Sequence, residues 1–347
     1  MPDMHPRVVG HLATSGGLIT RSRALDLGVG PSELSAHVRT GRWVIVHRGV
    51  YADAEVWESL DEWRGRPLLR AKAAVLAMKR AWVLSHDSAA HAHGLEMLAP
   101  ERAYAHITRP GHTNAWTKGH VKHHLARYRP QQVVDVDGHA TLDVARTVCD
   151  VAREHGLRAG LVTADSALRR GVTRGDLWEA VDVMRHWPYV TTVREIIDLA
   201  DPGAESAIES LGRELVIGLG IGEPETQFPI RLADGRVRWC DIRIGRHVVE
   251  THGLVKVLTP EQGGVADREA RSVVFDERKR EREITDEGLG VTNLYWDDFF
   301  GAGRARAAQR LMRDWEHTVA RYGTALPQHL ERNAREIRAR RDRRTAG

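Results

Sequence analysis

The chain has 347 residues, 42% of them apolar and 28% charged. That length suggests two or three domains, and the balance excludes wholesale disorder and a fibrous or collagen-like chain. Formal net charge is +4, with the excess at the two ends: residues 1–50 carry six Arg against three acids, and residues 329–347 seven Arg against three. Basic ends around a slightly acidic centre suggest nucleic-acid contact, although a run of charge is also what a solvated, frayed helix shows. Two distant cysteines, Cys149 and Cys240, exclude a disulfide framework and a four-cysteine zinc site, and fit a reducing cytoplasm. No apolar run nears the ~20 residues of a membrane span, and no apolar block follows a basic start, so neither a membrane helix nor a secretory signal is expected.

The first block covers about 6–55. Thr20 is placed to cap a short helix, Arg21 to Leu27, which Gly28-Val29-Gly30 breaks. Pro31 opens a second helix, Ser32 to Thr40, which buries Leu34 and Val38. Two β runs follow, Trp43–Val46 and Val50–Ala52, joined by His47-Arg48-Gly49. Helix, turn, helix and hairpin is the order of a winged helix-turn-helix. Its second helix would present Ser32, Ser35, His37 and Arg39 to the major groove of duplex DNA, with Arg21, Arg42 and Arg48 on the backbone. Plain packing of a helical hairpin on a β-ribbon gives the same pattern.

The second block, about 68–200, alternates helices with short β runs, as a middle α/β domain would. Eight of the 19 histidines lie between residues 86 and 124. His86, His91, His93, His120, His123 and His124 invite a metal reading. Their spacing matches no zinc pattern, and hydrogen-bonded structural histidines are the expectation.

The third block, about 204–300, reads as helix, hairpin, charged helix, strand: a mixed sheet flanked by helices. Gly245-Arg246 suits a two-residue type II′ turn. That turn pairs 244 with 247, 243 with 248, 242 with 249 and 241 with 250, so Asp241 faces Glu250 with β-carbons roughly 4.5–5.5 Å apart. Opposed carboxylates repel unless a cation lies between them, and Mg2+ bound by Asp241 and Glu250 would remove the penalty. His252 projects from the Glu250 side, Lys256 is within reach, and Glu209, with Glu205 one turn before it, offers a further carboxylate. This is the arrangement that metal-dependent nucleases need. The alternative is an ordinary polar sheet face with solvated acids.

Three motifs add a resemblance. Arg48-Gly49-Val50-Tyr51 ends the hairpin, Ser85-His86-Asp87-Ser88-Ala89-Ala90-His91-Ala92-His93-Gly94-Leu95 follows, and Ala145-Arg146-Thr147-Val148-Cys149-Asp150-Val151-Ala152-Arg153 lies further on. With the Leu12–Arg21 segment they make residues 8–170 resemble the AbiEi family of antitoxins. That resemblance implies a DNA-binding autorepressor, with a homodimeric state and a nucleotidyltransferase toxin as operon partner. The third block resembles the Vsr-related branch of the PD-(D/E)XK nucleases. Glu205 and Glu209 match its helix glutamates, Asp241 the "PD" aspartate, Glu250 the second acid, Gly253 the following glycine, Val255-Lys256 a V-K pair, and Lys279-Arg280 the basic helix. The chain departs at His252, where the branch carries Asp and the superfamily Lys, and at Cys240, where proline is common. The expectation is therefore an α+β multidomain protein. It comprises a winged helix (1–66), a middle α/β domain (67–200), a restriction-endonuclease-like domain (201–318) and a basic tail (319–347). It is a DNA-binding antitoxin-type protein with a Mg2+-dependent endonuclease, or an inactive autorepressor that uses the nuclease fold as a platform.

Overall fold

The computed structural model describes residues 5–78, 81–112, 114–253 and 270–345, with the side chains of 270–277, 342, 344 and 345 left aside. The protein is mixed α/β and multidomain, in two compact units, Met1–Ala200 and Asp201–Gly347. No helix among the described residues is long and apolar enough to cross a membrane.

The first unit opens with α1 (Pro6–Thr14), β1 (Leu18–Thr20), α2 (Arg21–Asp26), α3 (Pro31–Arg39), β2 (Trp43–His47) and β3 (Val50–Asp53). Thr20 caps α2 by accepting from Arg23 N at 3.1 Å, and Glu33 accepts from Gly30 N at 3.4 Å ahead of α3. The strands form an antiparallel sheet in the order β1-β3-β2. Apolar faces of α1, α2 and α3 close over Ile19, Trp43 and Tyr51.

Next come α4 (Ala54–Ser59), α5 (Gly65–Ala77), β4 (Val83–Leu84), α6 (His86–His93), β5 (Ala105–Arg109), β6 (Asn114–Lys118), β7 (Val121–Leu125), β8 (Val133–Val136) and β9 (His139–Leu142). These strands make a six-stranded mixed sheet, β6-β7-β5-β4-β9-β8, with β5/β7 and β4/β9 parallel. A helical layer completes the unit: α7 (Val144–His155), α8 (Leu157–Arg169), α9 (Arg174–Asp182) and α10 (Val190–Leu199). Helix α7 starts only after residues 139–142, which are strand, and Asp143 caps it by accepting from Arg146 N at 2.7 Å. The boundary expected at 66/67 crosses a continuous core in which Leu18, Val50 and Ala52 pack with Trp57, Leu69 and Ala73.

The second unit contains α11 (Ala207–Leu219), β10 (Glu225–Arg231), β11 (Val237–Ile244), β12 (His247–His252), α12 (Ala270–Asp286), β13 (Gly290–Tyr295), α13 (Gly301–Tyr322) and α14 (Gln328–Thr345). The sheet order is β10-β11-β12-β13, antiparallel until the parallel β12/β13 pair. Helix α11 lies so close to the sheet that a Cβ on Gly212 would sit 2.9 Å from Ile242 and 3.0 Å from Thr251. The basic C-terminal segment is not a free tail. Leu330 and Ala334 of α14 join Phe228, Ile230 and Cys240 in the core, and Arg341 lies over the Trp239 ring at 5.0 Å. Spacing of i, i+4, i+7 at Leu330, Ala334 and Ile337 makes that helix amphipathic despite its arginines.

Candidate functional site

The first candidate surface is the outer side of α2, α3 and the β2–β3 turn. Arg21, Ser32, Ser35, Arg39 and Arg48 are exposed, and Arg42 is half-buried. Arg21 N–H donates to Gly49 O at 2.8 Å, so the start of α2 stands beside the turn that carries Arg48. His37 does not belong to this surface. It is 7% exposed and tilts onto the Trp43 ring at 4.8 Å. The reason is helical spacing: residue 37 lies three after Leu34 and one before Val38, on the core face.

The second candidate lies in the β11–β12 hairpin. Gly245 has φ 56°, the left-handed value that the first turn position demands, and the register 244/247, 243/248, 242/249 follows. There the paired register ends, and the expected 241/250 pair is replaced by a different arrangement. Asp241 Oδ2 accepts from Thr251 N at 2.8 Å and from the Thr251 hydroxyl at 2.9 Å, filling the gap where the strands part. Opposite, Gln227 takes φ 49° between the pairs Thr226/Ile242 and Phe228/Cys240, so β10 is irregular at the same level.

Glu250 is 3% exposed, and its Oε2 lies 2.5 Å from Arg280 Nη2. The same Nη2 is 3.7 Å from Asp241 Oδ1 and donates to Trp239 O at 2.9 Å. A guanidinium thus stands at the position that the sequence reasoning gave to a metal ion. Burial and the neighbouring Asp241 push the Glu250 carboxyl up to about 8, outweighing Arg280. At neutral pH Glu250 therefore keeps its proton for most of the time beside the Arg280 guanidinium. Glu250 Oε1 is buried without a hydrogen-bond partner.

The remaining expected site residues scatter. Glu209 Oε2 accepts from Glu205 N at 2.8 Å and from Gln227 Nε2 at 3.1 Å, while Oε1 accepts from the Ser206 hydroxyl at 2.8 Å. It ties the N-terminus of α11 to the backbone one residue ahead of the Ser206 cap, and burial, with Asp241 nearby, raises its proton affinity. His252 turns to the neighbouring strand, with Nε2 2.9 Å from Asn293 Oδ1 and its ring stacked on Tyr295 at 5.1 Å. Lys256 lies outside the described residues. The sequence reading missed Arg280 as the bridging cation and Thr251 as the Asp241 anchor.

The third cluster comes from the histidine-rich segment. His93 Nε2 bonds to Leu142 O at 2.7 Å, and the His123 ring stacks on Trp116 at 5.0 Å, as structural histidines do. His86, His106 and His124 instead converge, all buried, with ligand-capable atoms within 4.8 Å of one another. Burial lowers the pKa of all three, that of His124 to about 2, and Asp87 beside His106 offsets it only in part, so the rings are uncharged at neutral pH.

Together the fold and these sites define a two-unit mixed α/β protein that buries two separate polar clusters, one of imidazoles and one of carboxylates. No family model matches the chain. It is 30% identical over 220 residues to the uncharacterized protein Rv2248 of Mycobacterium tuberculosis, and equally to the uncharacterized protein MT2308 of a second strain of that species. The match covers 61% of this chain and 75% of the relative, and the chain belongs to that family.

Proposed function

We propose that the protein is a duplex-DNA-binding regulator of the AbiEi-antitoxin type, acting in the cytoplasm and paired in its operon with a nucleotidyltransferase toxin. In this reading α2, α3 and the β2–β3 hairpin are a winged helix-turn-helix. Ser32, Ser35 and Arg39 face the groove, while Arg21 and Arg48 grip phosphate. The second unit has a restriction-endonuclease-like arrangement that serves as a platform. Its carboxylates are neutralised from within by Arg280. The observation that carries the non-hydrolytic form is the position of Arg280 Nη2, 2.5 Å from Glu250 and 3.7 Å from Asp241.

A second reading, a Mg2+-dependent endonuclease, is favoured by one observation: Glu250 Oε1 is buried and unpartnered beside a second carboxylate. That oxygen, with Asp241 Oδ1 on the other side of the guanidinium, suits a hard divalent ion once the guanidinium withdraws. Asp241 and Glu250 would hold the ion, which would polarise a phosphoryl oxygen.

Both readings are tested on the full chain. Arg39→Ala and Arg48→Ala are each expected to weaken binding to the protein's own upstream DNA, measured by fluorescence anisotropy. Each should also flatten the log K against log salt slope by about 1. Asp241→Asn is expected to leave that affinity unchanged. Unaltered slopes in both arginine variants would remove the groove assignment. Plasmid cleavage in Mg2+ or Mn2+ that disappears in Asp241→Asn would replace the first reading by the second.

A further inference from the structure

The histidine cluster takes no part in either reading, and its burial keeps it from any groove. We infer that His86, His106 and His124 form a binding site for one borderline transition-metal ion of the Zn2+ class. Zn–N bonds of about 2.0–2.1 Å in tetrahedral geometry set ligand nitrogens roughly 3.3 Å apart. His106 Nδ1 and His124 Nε2 already stand 3.1 Å apart. His86 Nδ1 is held by Ser85 Oγ at 3.0 Å, which leaves Nε2 as the third ligand. The widest separation in the triad is within 4.8 Å, so a tilt of the stacked His86 and His124 rings closes the set.

The surroundings match what an imidazole ligand needs behind it. Asp87 Oδ2 is buried, without a hydrogen-bond partner, and 3.7 Å from His106 Nε2. The other oxygen, Oδ1, accepts from His155 Nε2 at 2.7 Å, which fixes the carboxylate. A carboxylate at the far nitrogen keeps the His106 proton on Nε2 and turns the Nδ1 lone pair inward. That is the carboxylate–histidine–metal order. On binding, His124 would carry its proton on Nδ1 and present Nε2 to the ion. His86 holds φ 48°, a left-handed conformation that strains a residue bearing a β-carbon. Ser85 and Thr108, hydrogen-bonded to each other at 2.7 Å, support that turn. Neutral imidazoles select Zn2+, Co2+, Ni2+ or Cu2+ over Mg2+, and three of them leave a fourth position for water.

The test uses the full chain expressed with added Zn2+ and desalted, then analysed by plasma mass spectrometry, beside a Co2+-loaded sample read by visible absorption. One Zn2+ per chain and the d–d bands of a four-coordinate, nitrogen-ligated Co2+ are expected in the wild type. Both should vanish in His124→Gln and persist in His93→Gln. Asp87→Asn should keep the Co2+ bands while weakening Zn2+ about 10- to 100-fold. Folded wild type without metal or bands overturns the site, as does wild-type stoichiometry in His124→Gln. Should His124→Gln fail to fold, His86→Gln and the wild-type Co2+ spectrum decide in the same two directions.

Discussion

In the first unit three imidazoles are buried against one another with an aspartate behind them. In the second, two carboxylates are buried around a guanidinium. Both groups of side chains face the cost of removing charge from water, and their chemistry lets them meet it differently. An imidazole sheds its proton and becomes neutral, so the histidines pack ring on ring, His86 on His124 at 3.8 Å. A carboxylate becomes neutral only by gaining a proton. Glu250 does so in part, up to about 8, while Asp241 is held by the Thr251 N–H and hydroxyl. The lesson is that neutral donors await a cation without needing one, whereas paired acids must have a cation or a proton from the outset.

The largest expected effect is an opposite pH dependence of the two clusters. Folded-state pKa values of His86, His106 and His124 lie below 6.5, so their stabilisation is present above pH 6.5 and lost as pH falls. Asp87, also depressed, adds to that loss, and His155, raised beside it, opposes it. Glu250 is raised from 4.5 to about 8, so its contribution is present below pH 4.5 and lost as pH climbs toward 8. The Glu250 change alone is on the order of a few kcal/mol. Hydrogen exchange of the full chain, read peptide by peptide, is expected to show α6, β5 and β7 losing protection on acidification. The β11–β12 hairpin should lose it on going alkaline, and Glu250→Gln should flatten that alkaline limb. Loss in one common direction would break the comparison.

Next in size is Arg280→Met. Removing one partner of a fully buried ion pair costs about 3–5 kcal/mol, and partial exposure of the guanidinium reduces this to about 2–3. The Arg280 side chain is 32% exposed against 3% for Glu250. Urea unfolding is expected to register that loss, and Mg2+ to restore part of it if the acids accept a hard ion in place of the guanidinium. No loss on substitution would mean that Arg280 does not neutralise the pair.

How far the sequence carries depends on the range of each interaction. The hairpin register was legible because Gly245 and the alternation of Ile242, Ile244 and Val249 act locally. The pairing of Asp241 with Glu250 was not, since the ladder stops where β10 distorts at Gln227, fourteen residues earlier. Arg280 reaches the site from α12, and no local spacing announces it. The histidine triad draws on α6, β5 and β7, and becomes visible only once β5 and β7 pair in parallel. Two features are legible from helical spacing alone. His37 shares the Leu34 face at helical spacing, and Leu330, Ala334 and Ile337 mark a packed helix within an arginine-rich run.

The smallest expected effect separates a helix cap from a ligand at Glu209. Ser206-Ala207-Ile208-Glu209 is a capping-box sequence, and the carboxylate is engaged by the Glu205 N–H, the Ser206 hydroxyl and the Gln227 amide. Glu209→Ala therefore loses an N-terminal cap, about 1 kcal/mol, and leaves the Gln227 amide short of an acceptor. Its electrostatic partner is Asp241, while Glu250 responds to Asp241 and Arg280. So Glu209→Ala is expected to lower the thermal midpoint slightly and leave the alkaline limb of hairpin protection in place. Asp241→Asn should shrink that limb and end it at lower pH, because Glu250 then loses its anionic neighbour and its folded-state pKa falls back toward the ordinary value. A Glu209 variant that shifted the limb as far as Asp241→Asn would make it a third member of the carboxylate site, and would draw the second unit toward metal chemistry.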